Sequence, residues 1–209
     1  MPFALRFAAL TLAMLACASC TAVKVVTHTT SADPVDAPAG VYHLDPHHWS
    51  LTFDVDHFGY SRFVMRFDKM TADLDFHPDD PAHSSVSAHI AANSLDTNVA
   101  DLDEMVRGDD LLDAEHFPEI TFVSHQLRVT GKNTGEMDGD LTIHGQTKPV
   151  TLTVTFNGGA PNPLTGKHTL GFSAMGHFSR SAFGLGRWYP AVGREIQVRI
   201  EAEFESEAH

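Results

Sequence analysis

The chain has 209 residues and a formal net charge of −13, with 27 acidic against 14 basic side chains. That is enough chain to bury a sizeable core in one domain, and its acidity argues against nucleic acid or an anionic membrane surface as the main partner, because either would repel it. The two cysteines stand at positions 17 and 20, so the remainder of the chain carries neither a disulfide nor a thiolate ligand set.

Residues 1–20 read as a signal peptide: Arg6 is the sole charge, and Phe7 to Ala18 is an apolar run too short for a comfortable membrane span. Cys20 follows Ala18 and Ser19, a setting that resembles the cleavage site of a bacterial lipoprotein and makes Cys20 the expected lipidation site, with Cys17 or simple release as alternatives. Thr21 in place of an aspartate resembles an outer-membrane address, so the expected location is the periplasm, with or without an outer-membrane anchor. Residues 21–40 are small, polar and proline-punctuated, the composition of a flexible tether. The domain is expected over 41–209.

Trp49 to His57 alternates Trp49, Leu51, Phe53, Val55 and His57 with Ser50, Thr52, Asp54 and Asp56, the period of a strand with one wet face. Over Tyr60–Phe76 the apolar parity runs through Phe63, Met65 and Phe67, then shifts to Leu74 and Phe76, which predicts a bulge near Lys69–Thr71. After a turn at 77–83, Ser84–Ala92 alternates again. Leu102, Met105 and Val106 then switch to helical spacing, predicting a short helix near 99–107 stopped by Gly108. Further strands are expected over Glu119–Thr130, Glu136–His144, Pro149–Asn157, Lys167–Phe178 and Arg194–Glu205. A hairpin turn is expected at Gly131–Gly135, a longer turn over 158–166 and an irregular segment over 179–193.

No strand–helix–strand repeat is present, so the sheet is antiparallel. A sandwich or a barrel would bury its apolar face. Long strands joined by short turns favour the barrel, which also removes exposed edges. The expected fold class is therefore all-β: an eight-stranded antiparallel barrel with a short helical insertion.

The stretches Tyr42-His-Leu-Asp45 into His48, Phe53-x-Val55-x-His57-x-Gly59-x-Ser61, Ser94-Leu-Asp-Thr97, Asp110-Leu-Leu-Asp113, Phe117-Pro118-x-Ile120-x-Phe122-x-Ser124, Gly139-x-Leu141-Thr142-Ile143 with Lys148-Pro149-Val150, Gly171-Phe172-x-Ala174 and Arg180-Ser181-x-Phe183-Gly184 resemble the YceI-like family of lipocalin-like, polyisoprenoid-binding bacterial proteins. The resemblance spans about residues 41–205. It implies a lipocalin-like barrel with a long apolar cavity, a helix near one mouth, a non-covalently held isoprenoid lipid or quinone, no other cofactor and no catalytic residue. Two departures stand out: Met65 where a glycine is common, and Leu102-Asp103-Glu104-Met105 where Arg-Asp-x-His is common. They shift the expected head group from pyrophosphate towards a neutral lipid or quinone.

Cavity candidates are Phe53, Val55, His57, Phe63, Met65, Phe67, Phe122, Leu141 and Phe172, although an eight-stranded barrel can be filled by such side chains alone. Arg180 is the first candidate for a head-group contact, ahead of Arg187, Arg194 and Lys148, and Trp188, with Tyr189, suits a mouth that is wet at one end. His43, His47, His48 and His57 include spacings of four and one that occur among zinc ligands, but no HExxH motif is present, no cysteine is available, and His47 and His57 lie far apart along the strand, so no metal site is expected. No GxSxG elbow or phosphate-binding glycine fingerprint occurs, so no enzyme is expected. The resemblance makes a long-chain lipid the expected partner. A fatty acid or amide is the runner-up ligand and a ligand-free envelope scaffold the rival function. A homodimer is compatible with the sequence, and membrane contact is expected only through the N-terminal anchor.

Overall fold

In the computed structural model, which describes residues 23–207, the strands close into a barrel. Ten strand segments run in chain order: β1 (Gly40–His57), β2 (Ser61–Phe67), β3 (Met70–Phe76), β4 (Ser85–Ala91), β5 (Leu95–Asp96), β6 (Glu119–Val129), β7 (Thr134–Ile143), β8 (Gln146–Pro161), β9 (His168–Ser179) and β10 (Val192–Ser206). All pairings are antiparallel, and β10 returns to β1 to close the circle. β1 is long enough to pair β3 through Gly40–His43 and β2 through Leu51–His57. β2 and β3 therefore form one stave broken at Asp68–Lys69, beside the expected bulge. β5 adds a two-residue pairing beyond β4. Counted this way the barrel has eight staves, and alternate residues of each point inward.

The helix forms as α1 (Ala100–Arg107), with Gly108 as its C-cap. Asp103 holds its entry: one carboxylate oxygen accepts from the Thr97 amide and hydroxyl, both at 2.6 Å. With the connection over 108–118, the β1–β2 tip and the Arg180–Phe183 turn, α1 covers one end of the barrel. Leu95 (0 % exposed) and Phe183 (1 %) are sealed there beside Leu112, Ala114 and Leu185. Burial of each such large apolar side chain stabilises the fold by about 1.5–3 kcal/mol. The opposite end is bordered by the turns over 77–84, 130–133 and 162–167.

Three boundaries differ most from expectation. β1 begins at Gly40 and not at Trp49, because Gly40–His43 pairs with β3. β8 continues to Pro161, because Gly158 absorbs a bulge at φ 152° and pairing resumes at Gly158–Gly171 and continues to Pro161–His168. The segment 21–40, expected as a free tether, is docked along its second half. Ser31 exchanges backbone hydrogen bonds with Gly159 at 3.1 and 2.9 Å, Pro34–Asp36 forms a 3-10 turn, and Ala37 is buried against Phe156 and Leu170. The expected signal peptide and both cysteines lie outside the described residues.

Gly139 shows how tightly the wall is built. A Cβ there would lie 2.6 Å from the Val123 carbonyl oxygen and 2.5 Å from the Phe122 ring. Gly139→Ala is expected to cost about 1–3 kcal/mol in urea unfolding, the usual range for forced overpacking. An unchanged midpoint would show that β6 and β7 yield freely.

Histidine–carboxylate pairs dot the outer surface. Hydrogen bonding to Asp73 and Glu207 raises His43 above its ordinary pKa near 6.5, and Asp45 and Asp113 do the same for His48 and His116. A base whose pKa is higher in the folded chain stabilises it fully below the unfolded value, and that contribution is lost as pH rises through the folded value. The exposed sites screen the effect. The melting temperature is therefore expected to fall slightly as pH rises from 6 to 8. A melting temperature that rises over this range contradicts the assignment.

Candidate functional site: an apolar cavity open at one end

The interior is not filled. A cavity of about 350 Å³ runs between the sheet walls, within the range of roughly 300–1,000 Å³ usual for ligand pockets. Its origin is visible in the inward positions. Ala72, Ala88, Ala174 and Ala202 stand where larger side chains would meet across the barrel, and all four line the hollow. Phe172, Leu141 and Val198 point inward yet stay only partly buried, because they face this space and not a packed neighbour.

Among the described residues lining the cavity, the charged ones are Asp33 and Lys132, and both stand at the mouth. The mouth is framed by Pro34 and Val35 of the docked N-terminal segment, Pro78 and Pro81 of the β3–β4 turn, and Lys132 and Asn133 of the β6–β7 turn. Lys132 is 78 % exposed and its Nζ lies 3.5 Å from an Asp33 carboxylate oxygen. Asn133 is already committed, donating to the Phe156 carbonyl at 3.0 Å. The site is thus a greasy tube with one ion pair at its entrance.

Of the residues proposed from sequence, Phe67, Phe122, Leu141 and Phe172 line the cavity. Phe172 belongs to an aromatic cluster, 5.3 Å from Phe156 and 6.0 Å from Phe204. Phe53, Val55, Phe63 and Met65 do not line it. They join the cluster beneath α1, where Phe53 stacks on Phe67 at 5.3 Å. His57 is exposed, its ring edge-on to Phe58 at 4.8 Å, because β1 ends there and the inward alternation ends with it.

Arg180 and Trp188 lie at the covered end, away from the mouth. Arg180 is 6 % exposed, and its guanidinium is consumed by backbone: Nε donates to the Gly193 carbonyl at 2.7 Å, Nη2 to those of Arg187 at 2.9 Å and Val192 at 2.8 Å, and Nη1 to that of Leu185. Burial pulls its pKa below the ordinary arginine value, and four of its five N–H donors are taken by backbone carbonyls at the end away from the mouth. Arg187 pairs with Asp110, and Arg194 lies over the Tyr189 ring at 3.7 Å. Lys132, which sequence reading missed, is the cation at the mouth; its signal was only a position in a hairpin turn.

A family model described as "YceI-like domain" matches residues 42–204. A UPF0312 protein of Vibrio cholerae is 35 % identical over 174 residues, covering 82 % of this chain and 89 % of the relative. The crystal structure of Burkholderia cenocepacia BcnA superposes with a TM-score of 0.70 at 26 % identity, covering 77 % of this chain and 98 % of that one. A polyisoprenoid binding domain from Saccharophagus degradans, 12 % identical, reaches a TM-score of 0.63 over 81 % of this chain and 99 % of that one, a likeness of fold.

Proposed function

The chain belongs to the YceI-like domain family, and on that premise we propose that it is a non-catalytic binder and carrier of a long-chain apolar lipid, an isoprenoid or isoprenoid quinone, in the bacterial cell envelope. The observation that carries this reading is the hollow itself: an apolar cavity with charge confined to its entrance. A polar group in its interior would lose water without a partner, so the ligand that suits it has a long hydrocarbon body and a polar end left at the mouth.

Energetics argue for carriage over storage. Burying a CH₂ from water gains about 0.8 kcal/mol, but a lipid in a bilayer is already out of water, so entry into the barrel is close to balanced and therefore reversible. The N-terminal segment reaches the barrel at the mouth end. A lipidated Cys20, which precedes Ser31 by a tether reaching at most about 40 Å, would hold that mouth near the membrane from which it loads. A periplasmic, outer-membrane-anchored protein is the setting this reading gives.

Transfer of a labelled polyprenyl phosphate between donor and acceptor vesicles tests it. The protein should accelerate transfer, and Val35→Asp at the mouth should slow it at least fivefold, while Tyr60→Asp at the covered end leaves it unchanged. No acceleration by the wild-type protein, or equal loss from both variants, counts against the proposal.

A further inference from the structure

The seam where the barrel closes carries a second feature, on its outer wall. Pairing of β1 with β10 passes from Leu44–Phe204 directly to Trp49–Ala202. Four residues of β1, Asp45–Pro46–His47–His48, therefore stand opposite the single residue Glu203. The excursion folds round Asp45, which is only 8 % exposed: one carboxylate oxygen accepts from the His47 amide at 2.8 Å and the other meets His48 Nδ1 at 2.8 Å.

This sets His48 Nδ1 and an Asp45 carboxylate oxygen side by side, where one ion could replace the proton between them, and aims the excursion at Glu203. Ligand atoms of Asp45, His48 and Glu203 all lie within 4.8 Å of one another. Glu203 is part-buried and has no ion-pair or hydrogen-bond partner among the described residues. Two other Asp–His pairs have the same three-residue spacing, Asp80–His83 at 2.7 Å and Asp113–His116 at 2.8 Å. Neither gathers a third ligating side chain among the described residues. A groove beside Glu203 is lined by His28, which precedes the docked part of the N-terminal segment, by His47 and by Glu201, with Gly171 and Thr169 also on its wall. The Thr169 hydroxyl there is buried without a partner.

We infer that Asp45, His48 and Glu203 hold a divalent transition-metal ion of the zinc class on the outer face of the β1–β10 seam. An imidazole among carboxylates selects such an ion over calcium or magnesium, which take oxygen ligands. Two carboxylates neutralise its charge, and water or one of the neighbouring histidines completes the coordination. The ion clips the four-residue excursion to the facing strand. It is separate from the lipid cavity, which lies on the other side of the sheet.

The test is calorimetric titration of the chelator-stripped protein with zinc chloride. One saturable site of micromolar or tighter affinity is expected, weakened at least tenfold by His48→Ala and by Glu203→Gln and unaffected by His116→Ala. Cobalt(II) absorption of the wild-type protein supplies a readout that needs no variant: a ligand-field band saturating at one equivalent and displaced by zinc. Zinc affinity unchanged in folded His48→Ala and Glu203→Gln, or cobalt that gives only the spectrum of the hydrated ion, overturns the assignment.

Discussion

Tryptophan at position 174 is expected to abolish lipid uptake in a barrel that remains folded. Ala174 sits in the middle of β9, paired with Ile200 on one side and Val154 on the other, and faces the cavity without being fully buried. An indole there has empty space to occupy. Thermal unfolding should therefore shift by no more than roughly 3 °C, equivalent to about 1 kcal/mol for a chain of this size. Affinity for the lipid should fall at least tenfold, because the substitution takes the volume that the ligand's hydrocarbon needs. A filled interior would behave in the opposite way, with overpacking costing about 1–3 kcal/mol or more and no binding to lose. Unfolding midpoint and lipid affinity, measured on the same preparation, separate the two.

The second large effect is expected at Arg180. Its guanidinium joins four carbonyls of the 184–193 loop to the Arg180–Phe183 turn, and no carboxylate among the described residues pairs with it. Arg180→Met keeps the apolar stem and removes every donor. The four acceptors are then left short of partners at about 1–3 kcal/mol for each that stays buried, and relaxation towards water recovers part of that. A loss of about 3–5 kcal/mol in urea unfolding is expected from the carbonyls left short of partners, with earlier proteolysis between Gly184 and Gly193. Lipid affinity of the folded fraction should not change, since the mouth lies at the other end. A stable variant with weakened lipid binding would restore Arg180 as a head-group contact and contradict its structural role.

The barrel was legible because each stave has one wet face. The alternation of Val150, Leu152 and Phe156 with threonines, or of Ile196, Val198 and Ile200 with polar and charged residues, survives into the structure as inward and outward positions. The helix was legible from the change of period and Gly108. The location of the hollow was not. Val55 and Met65 share inward parity with Leu51 and Phe67, and only the long-range placement of Leu112, Phe183 and Leu185 decides that the first two are plugged over while Phe67 borders empty space. Arg180 misled for a related reason: its partners are backbone carbonyls, which no side-chain pattern announces. Lys132 could be placed in a turn, but which turns surround the mouth depends on closure of β10 onto β1. Asp45 and His48 could be read as neighbours in sequence, whereas Glu203 meets them only through the skipped register.

The most direct test of a lipid-carrying cavity is native mass spectrometry of the protein purified from a bacterial host, followed by organic extraction. An adduct of several hundred daltons is expected that is released by solvent, identifies as an isoprenoid lipid or quinone, and is missing from Ala174→Trp. A bare protein mass that persists after incubation with polyprenyl phosphates, quinones and fatty acids would contradict it.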